Sequence, residues 1–239
     1  MQQNGKNLFF ILKIAGTWGP GEQSARVPEE IWYSIYSIIY EEESSMTRNV
    51  SDEKKALRNS IRAKVAQLPA DYCQKADAAI RAYVLSLPEY QQARRIFCYA
   101  GTASEIQTLP LIGQMLSDGK EVGVPYCISL GNMEVRQIRS LSDLKPGRYG
   151  ILAPGDDCTV MAADTIDLGL IPCCTCNKKG QRLGFGGGFY DIYLHDSHFT
   201  RAILCREQIM TEVIPMEDHD EWMDIVISET GIVRISRQG

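Results

Sequence analysis

The feature that most constrains this chain is a glycine-rich stretch at residues 180–194, which reads GQRLGFGGGFYDIYL. Glycine has no Cβ, so it adopts positive φ at little cost and lets successive backbone N–H groups converge on an anion. Apolar residues after the glycines predict a helix to about Asp196, whose N-terminal N–H groups would point toward the same anion. The stretch therefore predicts a phosphate-binding loop. The alternative is a flexible surface turn, which rarely carries aromatic residues and flanking cations.

Two well-known phosphate motifs do not account for this loop. A Walker A loop requires Lys and then Ser or Thr after its last glycine, whereas Phe189 follows Gly188. The dinucleotide fingerprint requires a strand that runs directly into the first glycine and an acidic residue about 20 positions later. Neither is evident around Gly184, so the loop is expected to bind phosphate in another way.

The length and composition are those of a globular chain. It has 239 residues, 44% of them hydrophobic, which is enough apolar material for one domain and an extension. The net charge of −5 and the pI near 5.3 argue against a general nucleic-acid binder. The apolar runs at residues 8–12 and 31–40 fall short of the ~20 residues of a membrane span. We expect a cytoplasmic protein that binds neither nucleic acid nor membrane, and we expect it to act as a monomer.

The eight cysteines are scattered along the chain, and several lie in apolar runs that resemble strands. Because no secretory signal is evident, they are expected to be reduced thiols of a cytosolic protein. The cluster Cys173, Cys174 and Cys176 is of a kind that can bind zinc. No second CxxC or HxxxH motif lies at a useful distance from it, so the sequence favours no metal there.

Residues 1–45 do not match the pattern of the rest of the chain. They lack a clean helical or strand period, contain a cluster of glycine and proline at residues 16–21, and end in an acidic run. We interpret residues 1–45 as a poorly ordered or upstream extension. Met46 would then be the functional translation start, followed by a single α/β domain over residues 46–239. The alternative is a short amphipathic element over residues 31–39 that packs on the domain.

An amphipathic helix is predicted from Ser51, a residue type that favours the N-cap position. Its apolar stripe consists of Leu57, Ile61, Val65 and Leu68. Three cations recur at intervals of four on another face, namely Lys54, Arg58 and Arg62. Taken alone, such a run is more often a solvated face than a binding site.

The rest of the chain alternates between predicted strands and helices. A second helix is predicted over residues 71–87, where Pro88 would end it. Short apolar runs predict strands at residues 95–100, 121–127, 133–138, 167–173, 201–205, 224–227 and 232–235. Ser104 and Gln107 match a capping box for a helix to about Ser117. This alternation predicts a three-layer α/β fold, an open sheet with helices on both faces.

Two carboxylates are candidate metal ligands near the loop. Mg²⁺ bound with a nucleotide takes one or two carboxylates together with phosphate oxygens and water. Asp191 follows the glycines, and Asp220 lies in the acidic turn at residues 217–220, so both could hold the ion. Asp191 could equally be a first-turn acid that stabilises its helix.

Four motifs occur in a fixed order: KxxLR at residues 54–58, ExxT at residues 105–108, GxRLGxGGGxYD at residues 180–191 and a His-Asp pair at residues 219–220. Together they resemble the 5-formyltetrahydrofolate cyclo-ligase family, also called 5,10-methenyltetrahydrofolate synthetases, over about residues 50–230. The glycine-loop motif is highly specific. The resemblance implies an open α/β fold like that of the ribose-phosphate isomerase and CoA-transferase group. It also implies ATP as co-substrate, Mg²⁺ as cofactor and a folate as substrate.

The resemblance also implies a role for individual residues. The ATP contacts would be Lys54, Arg58, Arg182, Leu183, Gly184, Phe185, Gly186, Gly187, Gly188, Phe189 and Tyr190. The folate contacts would be Ala100, Glu105, Phe185, Gly186, Gly187, Gly188 and Phe189. The metal ligands would be Asp191 and Asp220. Lys54, Arg58 and Arg182 would clamp the phosphates during catalysis, and Glu105 would orient the pterin.

The chain departs from the family pattern at two positions. The family often has Tyr-Tyr-Asp-Arg-Tyr where this chain has Phe189-Tyr190-Asp191-Ile192-Tyr193. The missing arginine at Ile192 and the missing hydroxyl at Phe189 leave the family resemblance intact. We expect the two differences to affect the affinity for the substrate.

The reaction implied by the resemblance converts 5-formyltetrahydrofolate, with or without a polyglutamate tail, to 5,10-methenyltetrahydrofolate. ATP would phosphorylate the formyl oxygen, which then leaves as phosphate when N10 closes the ring, with ADP as the other product. Such a transfer depends on positioning and charge stabilisation, which a glycine loop, cations and Mg²⁺ supply. The alternatives are a sugar-phosphate isomerase or CoA-transferase-like enzyme of the same fold, and a non-catalytic folate- or nucleotide-binding homologue.

Overall fold

The computed structural model describes residues 49–236, apart from the side chain of Tyr149. All of these residues except the first belong to one unit, Val50–Gly239. The predictions for residues 1–45 and for a start at Met46 lie outside the described residues. Within the described range, no helix is both long and apolar enough to cross a membrane.

The helices of the described residues are α1 (residues 49–65), α2 (Ala70–Ser86), α3 (Pro88–Gln92), α4 (Leu109–Ser117) and α5 (Phe189–His195). Short 3-10 turns lie at Leu141–Asp143, Arg148–Gly150, Ala163–Thr165 and Glu207–Ile209. Ser51 does not cap α1 as predicted, because residues 49 and 50 are already helical. Pro88 separates α2 from α3, since it has no N–H with which to continue α2 but fits the first turn of α3.

The strands are β1 (Arg95–Cys98), β2 (Glu121–Ser129), β3 (Asn132–Ile138), β4 (Leu144–Pro146), β5 (Leu152–Pro154), β6 (Leu168–Ile171), β7 (Thr175–Cys176), β8 (Arg182–Leu183), β9 (Thr200–Leu204), β10 (Ile225–Ser228) and β11 (Gly231–Arg234). A seven-stranded sheet has the order β11-β10-β9-β6-β1-β2-β3. Its inner strands run parallel, and the edge strands β3 and β11 each pair antiparallel with a neighbour. Two short antiparallel hairpins, β4–β5 and β7–β8, lie outside this sheet.

The sheet is covered on both faces, as parallel sheets generally are. Along β1, Ile96 and Cys98 belong to one apolar cluster, whereas Phe97 belongs to the other. The first cluster contains side chains of α2, α3 and α4, and the second contains side chains of α1 and α5. The prediction of a three-layer α/β fold is therefore confirmed. The likeness to the ribose-phosphate isomerase and CoA-transferase group stays a prediction.

The helix predicted from Ser104 begins later, at Leu109. The Thr108 hydroxyl donates to the Tyr99 carbonyl at 2.5 Å and accepts from the Gly101 N–H at 2.9 Å. These bonds tie the segment back to the end of β1, so it forms a loop and not the first turn of a helix. The predicted capping box was therefore wrong.

The carboxyl ends of β1, β6 and β9 are neighbours along one edge of the sheet, because β6 pairs in parallel with both other strands. Loops that leave this edge of an open α/β sheet meet there and usually form its ligand site. Here the loop after β1 contains Glu105, the segment after β6 leads to the glycine loop, and the segment after β9 begins with Cys205 and Arg206.

Candidate active site

The glycine loop joins β8 to α5 and has the backbone shape that its sequence predicts. Gly186 has a φ of 101° and Gly188, the N-cap of α5, has a φ of 69°, a region that residues with a Cβ rarely adopt. At Gly184 the constraint is space, because a Cβ there would lie 2.8 Å from Nη1 of Arg182. Glycine is therefore favoured by backbone conformation at Gly186 and Gly188, and by the position of the Arg182 side chain at Gly184.

Helix α1 contacts the glycine loop through Arg58. The Arg58 Nε donates to the carbonyl oxygen of Gly184 at 2.8 Å, and a Cβ on Gly186 would lie 3.5 Å from the guanidinium carbon. The basic helix and the loop are thus brought together, although Arg62 of the same face remains exposed.

Lys54 is buried, although the run of cations on α1 is typical of a solvated face. Only 6% of the residue is exposed, and Nζ donates to Oε2 of Glu217 at 2.7 Å and to Oδ2 of Asp220 at 2.6 Å. The N–H of Glu217 donates to the same Asp220 oxygen at 2.7 Å. A buried ammonium needs such partners, because removing it from water is costly. The interpretation of this face as solvated is therefore wrong at Lys54.

Arg182 is 5% exposed and holds Asp191 in place. Its Nη2 donates to Oδ1 of Asp191 at 2.5 Å, and its Nη1 donates to the Pro172 carbonyl at 3.4 Å. The guanidinium carbon lies 5.6 Å from the centre of the Tyr190 ring. Its Nε is buried and has no hydrogen-bond partner within the described part of the chain. Since an unpaired buried donor is costly, this N–H is a candidate donor to a bound anion such as a phosphate.

The two predicted metal ligands each pair with a predicted phosphate clamp. Asp191 pairs with Arg182, and Asp220 pairs with Lys54. In each carboxylate one oxygen accepts these bonds, while the other accepts no hydrogen bond from residues 49–236. Each carboxylate therefore keeps one hard oxygen donor that could bind a cation such as Mg²⁺.

A cavity of about 170 Å³ adjoins the glycine loop. Glu105, Phe185 and Tyr99 line it, together with residues of α1 and of the segments after β6 and β9. One oxygen of Glu105 accepts the N–H of Thr102 at 2.9 Å, which orients the carboxylate. Ala100 is buried in the core cluster, and it is its neighbour Tyr99 that lines the cavity. Because Phe185 belongs to the glycine loop, the predicted phosphate and folate contacts meet at this residue.

Two tyrosines near the cavity are neutral at physiological pH. Burial raises the pKa of Tyr99, and the negative charge of Glu105 raises it further. Burial also raises the pKa of Tyr190. The negative charge of Glu105 raises this pKa further, whereas the positive charge of Arg182 lowers it. Both phenols can therefore take part in hydrogen bonds without contributing charge.

The model of the 5-formyltetrahydrofolate cyclo-ligase family matches residues 50–229, which is well over half of the chain. The chain belongs to this family. The resemblance inferred from the four motifs is thereby confirmed, and the match covers nearly the same range as those motifs.

Relatives of this cyclo-ligase family member match over most of their own length. The 5-formyltetrahydrofolate cyclo-ligase of Haemophilus influenzae is 31% identical over 176 residues, which is 71% of this chain and 94% of the relative. That of Mus musculus is 28% identical over 194 residues, 75% of this chain and 95% of the relative. The NMR structure of Aquifex aeolicus 5,10-methenyltetrahydrofolate synthetase is 23% identical and superposes with a TM-score of 0.70, covering 78% of this chain and 94% of that one. The chain therefore has the fold of that synthetase.

Ile192, where the cyclo-ligase family often has arginine, lies on α5 and is 65% exposed. Its Cδ1 would lie 3.3 Å from a Cβ on Gly131, at the turn between β2 and β3. The substitution leaves the buried pair of Arg182 and Asp191 intact. The difference from the family pattern is therefore at the surface of α5.

Sequence reasoning missed Arg206, which braces the loop that carries Glu105. Its Nε and Nη2 donate to the two carboxylate oxygens of Asp77 at 2.8 and 2.9 Å, and Nη2 also donates to the Glu105 carbonyl at 2.8 Å. No local pattern connects Arg206 with Asp77, because the two meet only when α2 packs against the sheet that contains β9. Asp77 also accepts the N–H of Gln107 at 3.0 Å, which fixes the same loop from its other end.

Sequence reasoning also missed Glu217 as a partner of Lys54, although the spacing between Glu217 and Asp220 in the acidic turn could have indicated it. The N–H of Asp220 donates to the Glu217 carbonyl at 3.0 Å, so this turn brings the two acids, three positions apart, to the same side. With His219, their ligand atoms lie within 4.8 Å of one another. Acids at positions i and i+3 of a turn are therefore the pattern that could have identified Glu217.

Changing Glu217 to glutamine is expected to lower the free energy of unfolding by about 1–2 kcal/mol. The amide keeps the shape but removes one of the two charges that compensate the buried Lys54 ammonium. For a chain of this size the Tm should fall by about 2–4 °C per kcal/mol. Asp218→Asn is the matched control, because Asp218 is exposed in the same turn and its change should leave the Tm unaltered. Equal Tm values for the two variants would contradict the assignment.

Proposed function

We propose that the protein converts 5-formyltetrahydrofolate to 5,10-methenyltetrahydrofolate and in doing so converts ATP to ADP and phosphate. The observation that carries this proposal is the position of Phe185, which belongs to the glycine loop and also lines the cavity with Glu105. A phosphate bound by the loop and a folate bound in the cavity would therefore be adjacent. Membership of the cyclo-ligase family supports the same reaction.

The proposed reaction has two steps. The formyl oxygen first attacks the γ-phosphorus of ATP, and the bond to the bridging oxygen breaks so that ADP leaves. N10 then attacks the formyl carbon and loses its proton, and the carbon–oxygen bond breaks to release phosphate. The formyl oxygen thus ends in the phosphate, and the five-membered ring is closed. Positioning and stabilisation of charge on the phosphoryl oxygens are the main demands on the protein.

The cations around the glycine loop support these roles. Arg58 contacts the loop backbone, and the Nε of Arg182 has no partner among the described residues. We assign both to the transferring phosphate, because charge-assisted hydrogen bonds strengthen as the phosphoryl oxygens gain charge. We assign Lys54 to the same cluster, where it also orients Asp220. The other ATP and folate contacts from the sequence analysis stay predictions.

Mg²⁺ is part of the proposal, with Asp191 and Asp220 as its protein ligands. They fit because each keeps a carboxylate oxygen that accepts no hydrogen bond within the described range. When bound, the ion would neutralise negative charge on the ATP phosphates. Arg182 and Lys54 hold the other oxygen of each carboxylate and so orient it.

The direct test mixes the protein with MgATP and 5-formyltetrahydrofolate and follows the near-ultraviolet absorbance of the methenyl product. Product is expected only when all three are present, with one ADP formed per product. Substrate labelled with ¹⁸O in the formyl group should transfer the label to phosphate. ATP consumption that does not depend on the folate, or binding of both ligands without product, would contradict the proposal.

We also propose that the protein acts as a monomer in the cytoplasm and accepts folates with or without a polyglutamate tail. These proposals rest on the sequence analysis. Light scattering of the purified chain tests the first, cell fractionation the second, and comparison of kcat/KM for mono- and polyglutamylated substrates the third.

A further inference from the structure

Three cysteine thiols, to which the proposed ATP and folate chemistry assigns no role, converge at one side of the cavity. Cys173 lies in the turn between β6 and β7, Cys176 is the last residue of β7, and Cys205 directly follows β9. Their Sγ atoms all lie within 4.8 Å of one another. Cys176 and Cys205 are at most 1% exposed and Cys173 is 9% exposed. All three are free thiols.

The register of the parallel sheet produces this convergence. Ile171 of β6 pairs with Ile203 of β9, so Cys173 and Cys205 each lie two residues beyond a paired position. The Cys173 Sγ contacts the Leu204 carbonyl at 3.5 Å, which fixes it beside the end of β9. The β6–β7 turn then brings the third thiol to the same point.

Isolated buried cysteines usually act as small apolar residues. This trio differs because it borders a cavity: Cys173 and Cys205 line the cavity near the glycine loop, and Cys176 is fully buried with its Sγ within 4.8 Å of both. Three thiolates around zinc, with Zn–S bonds of about 2.3 Å, would have their sulfurs about 3.8 Å apart. The observed Sγ–Sγ separations exceed this value by at most about 1 Å, which a small movement of the side chains would close. Sites with three protein ligands keep their fourth position open to solvent or to a ligand.

We propose that Cys173, Cys176 and Cys205 bind one Zn²⁺ ion, with the fourth coordination position open to the cavity. Each thiol gives up its proton to solvent as its sulfur binds the metal, so up to three protons are released per ion and no oxidant is needed. Thiolates are soft ligands that favour zinc over magnesium. This site is therefore chemically distinct from the carboxylates assigned to Mg²⁺ and does not depend on the proposed reaction.

The test titrates Zn²⁺ into the full, reduced and metal-stripped chain in competition with a chromophoric chelator. One ion per chain is expected to bind, and excess Mg²⁺ should not displace it. Cd²⁺ in place of Zn²⁺ should give the ultraviolet thiolate-to-metal band of three thiolates. Absence of stoichiometric Zn²⁺ binding by the wild-type chain would overturn the proposal.

Two cysteine variants separate this site from general thiol binding. Cys205→Ser should weaken Zn²⁺ binding by more than about 100-fold, the upper end of what the loss of an outer-shell partner costs. Cys174→Ser is the matched control, because Cys174 is adjacent in sequence, buried and lines the same cavity, but lies outside the trio. If Cys205→Ser does not fold, Cys176→Ala takes its place, and its Cd²⁺ band should fall by about one third. Equal Zn²⁺ affinity of the trio variant and the Cys174 variant would refute the proposal.

Discussion

Replacing Arg182 with alanine is expected to lower kcat/KM by roughly 30- to 1000-fold, which corresponds to about 2–4 kcal/mol. One side of the guanidinium binds Asp191, and the buried Nε has no partner among the described residues. We propose that this donor binds a phosphate oxygen that gains charge during the transfer. Initial rates of methenyl product formation, measured over a range of ATP concentrations, give the size of the effect.

The matched control for this variant is Arg201→Ala. Arg201 is also buried, at 6% exposure, and pairs with Glu221 at 2.6 Å, but unlike Arg182 it does not donate to Asp191. Both alanine variants should lower the Tm, whereas only the change at Arg182 should lower kcat/KM of the folded protein. Arg182→Lys keeps the charge without the planar fork and should recover part of the rate. The same kcat/KM in both alanine variants would remove Arg182 from the site.

Changing Asp191 to asparagine is expected to lower turnover about 100-fold or more at limiting Mg²⁺ while the protein stays folded. Asparagine keeps the volume and an acceptor oxygen for Nη2 of Arg182, but it lacks the negative charge that would hold the ion. The rate should recover in part as the Mg²⁺ concentration is raised. A magnesium titration of kcat together with a thermal unfolding curve measures both quantities.

The alternative role of Asp191 predicts the opposite pair of results. If Asp191 only stabilises the first turn of α5, its change should cost about 0.3–1 kcal/mol of stability and leave turnover unaltered. Asp196→Asn is the control on the same helix, because Asp196 is the exposed C-cap of α5 and should not alter the magnesium dependence. Normal turnover of the Asp191 variant at limiting Mg²⁺ would exclude the metal role.

Local chemistry was enough to predict the shape of the glycine loop and the class of fold. Positive φ at Gly186 and Gly188 follows from local chemistry, because only a residue without a Cβ adopts it cheaply. The apolar runs at β1 and β6 likewise identify strands that are buried on both faces, independent of their neighbours. Family membership could be predicted for the same reason, since its motifs are short and local.

The order of the strands, and the burial and pairing of each charged residue, depend on contacts between segments that are far apart in the chain. Lys54, Arg58 and Arg62 repeat along one face of α1, yet Lys54 is buried against carboxylates and Arg62 is exposed. The partner Glu217 lies 163 residues away, so no local pattern could reveal which cation would lose its water. The helix predicted from Ser104 failed for a related reason, because hydrogen bonds to the end of β1 compete with the helical turn.

The three thiols show the same division between local and long-range information. The spacing of Cys173 and Cys176 is readable in the sequence, and by itself it favours no metal. The third ligand, Cys205, comes from the neighbouring strand and is brought there by the register of β6 with β9. Burial, pairing and ligand geometry depend on which segments meet across the sheet, and that is a property of the assembled fold.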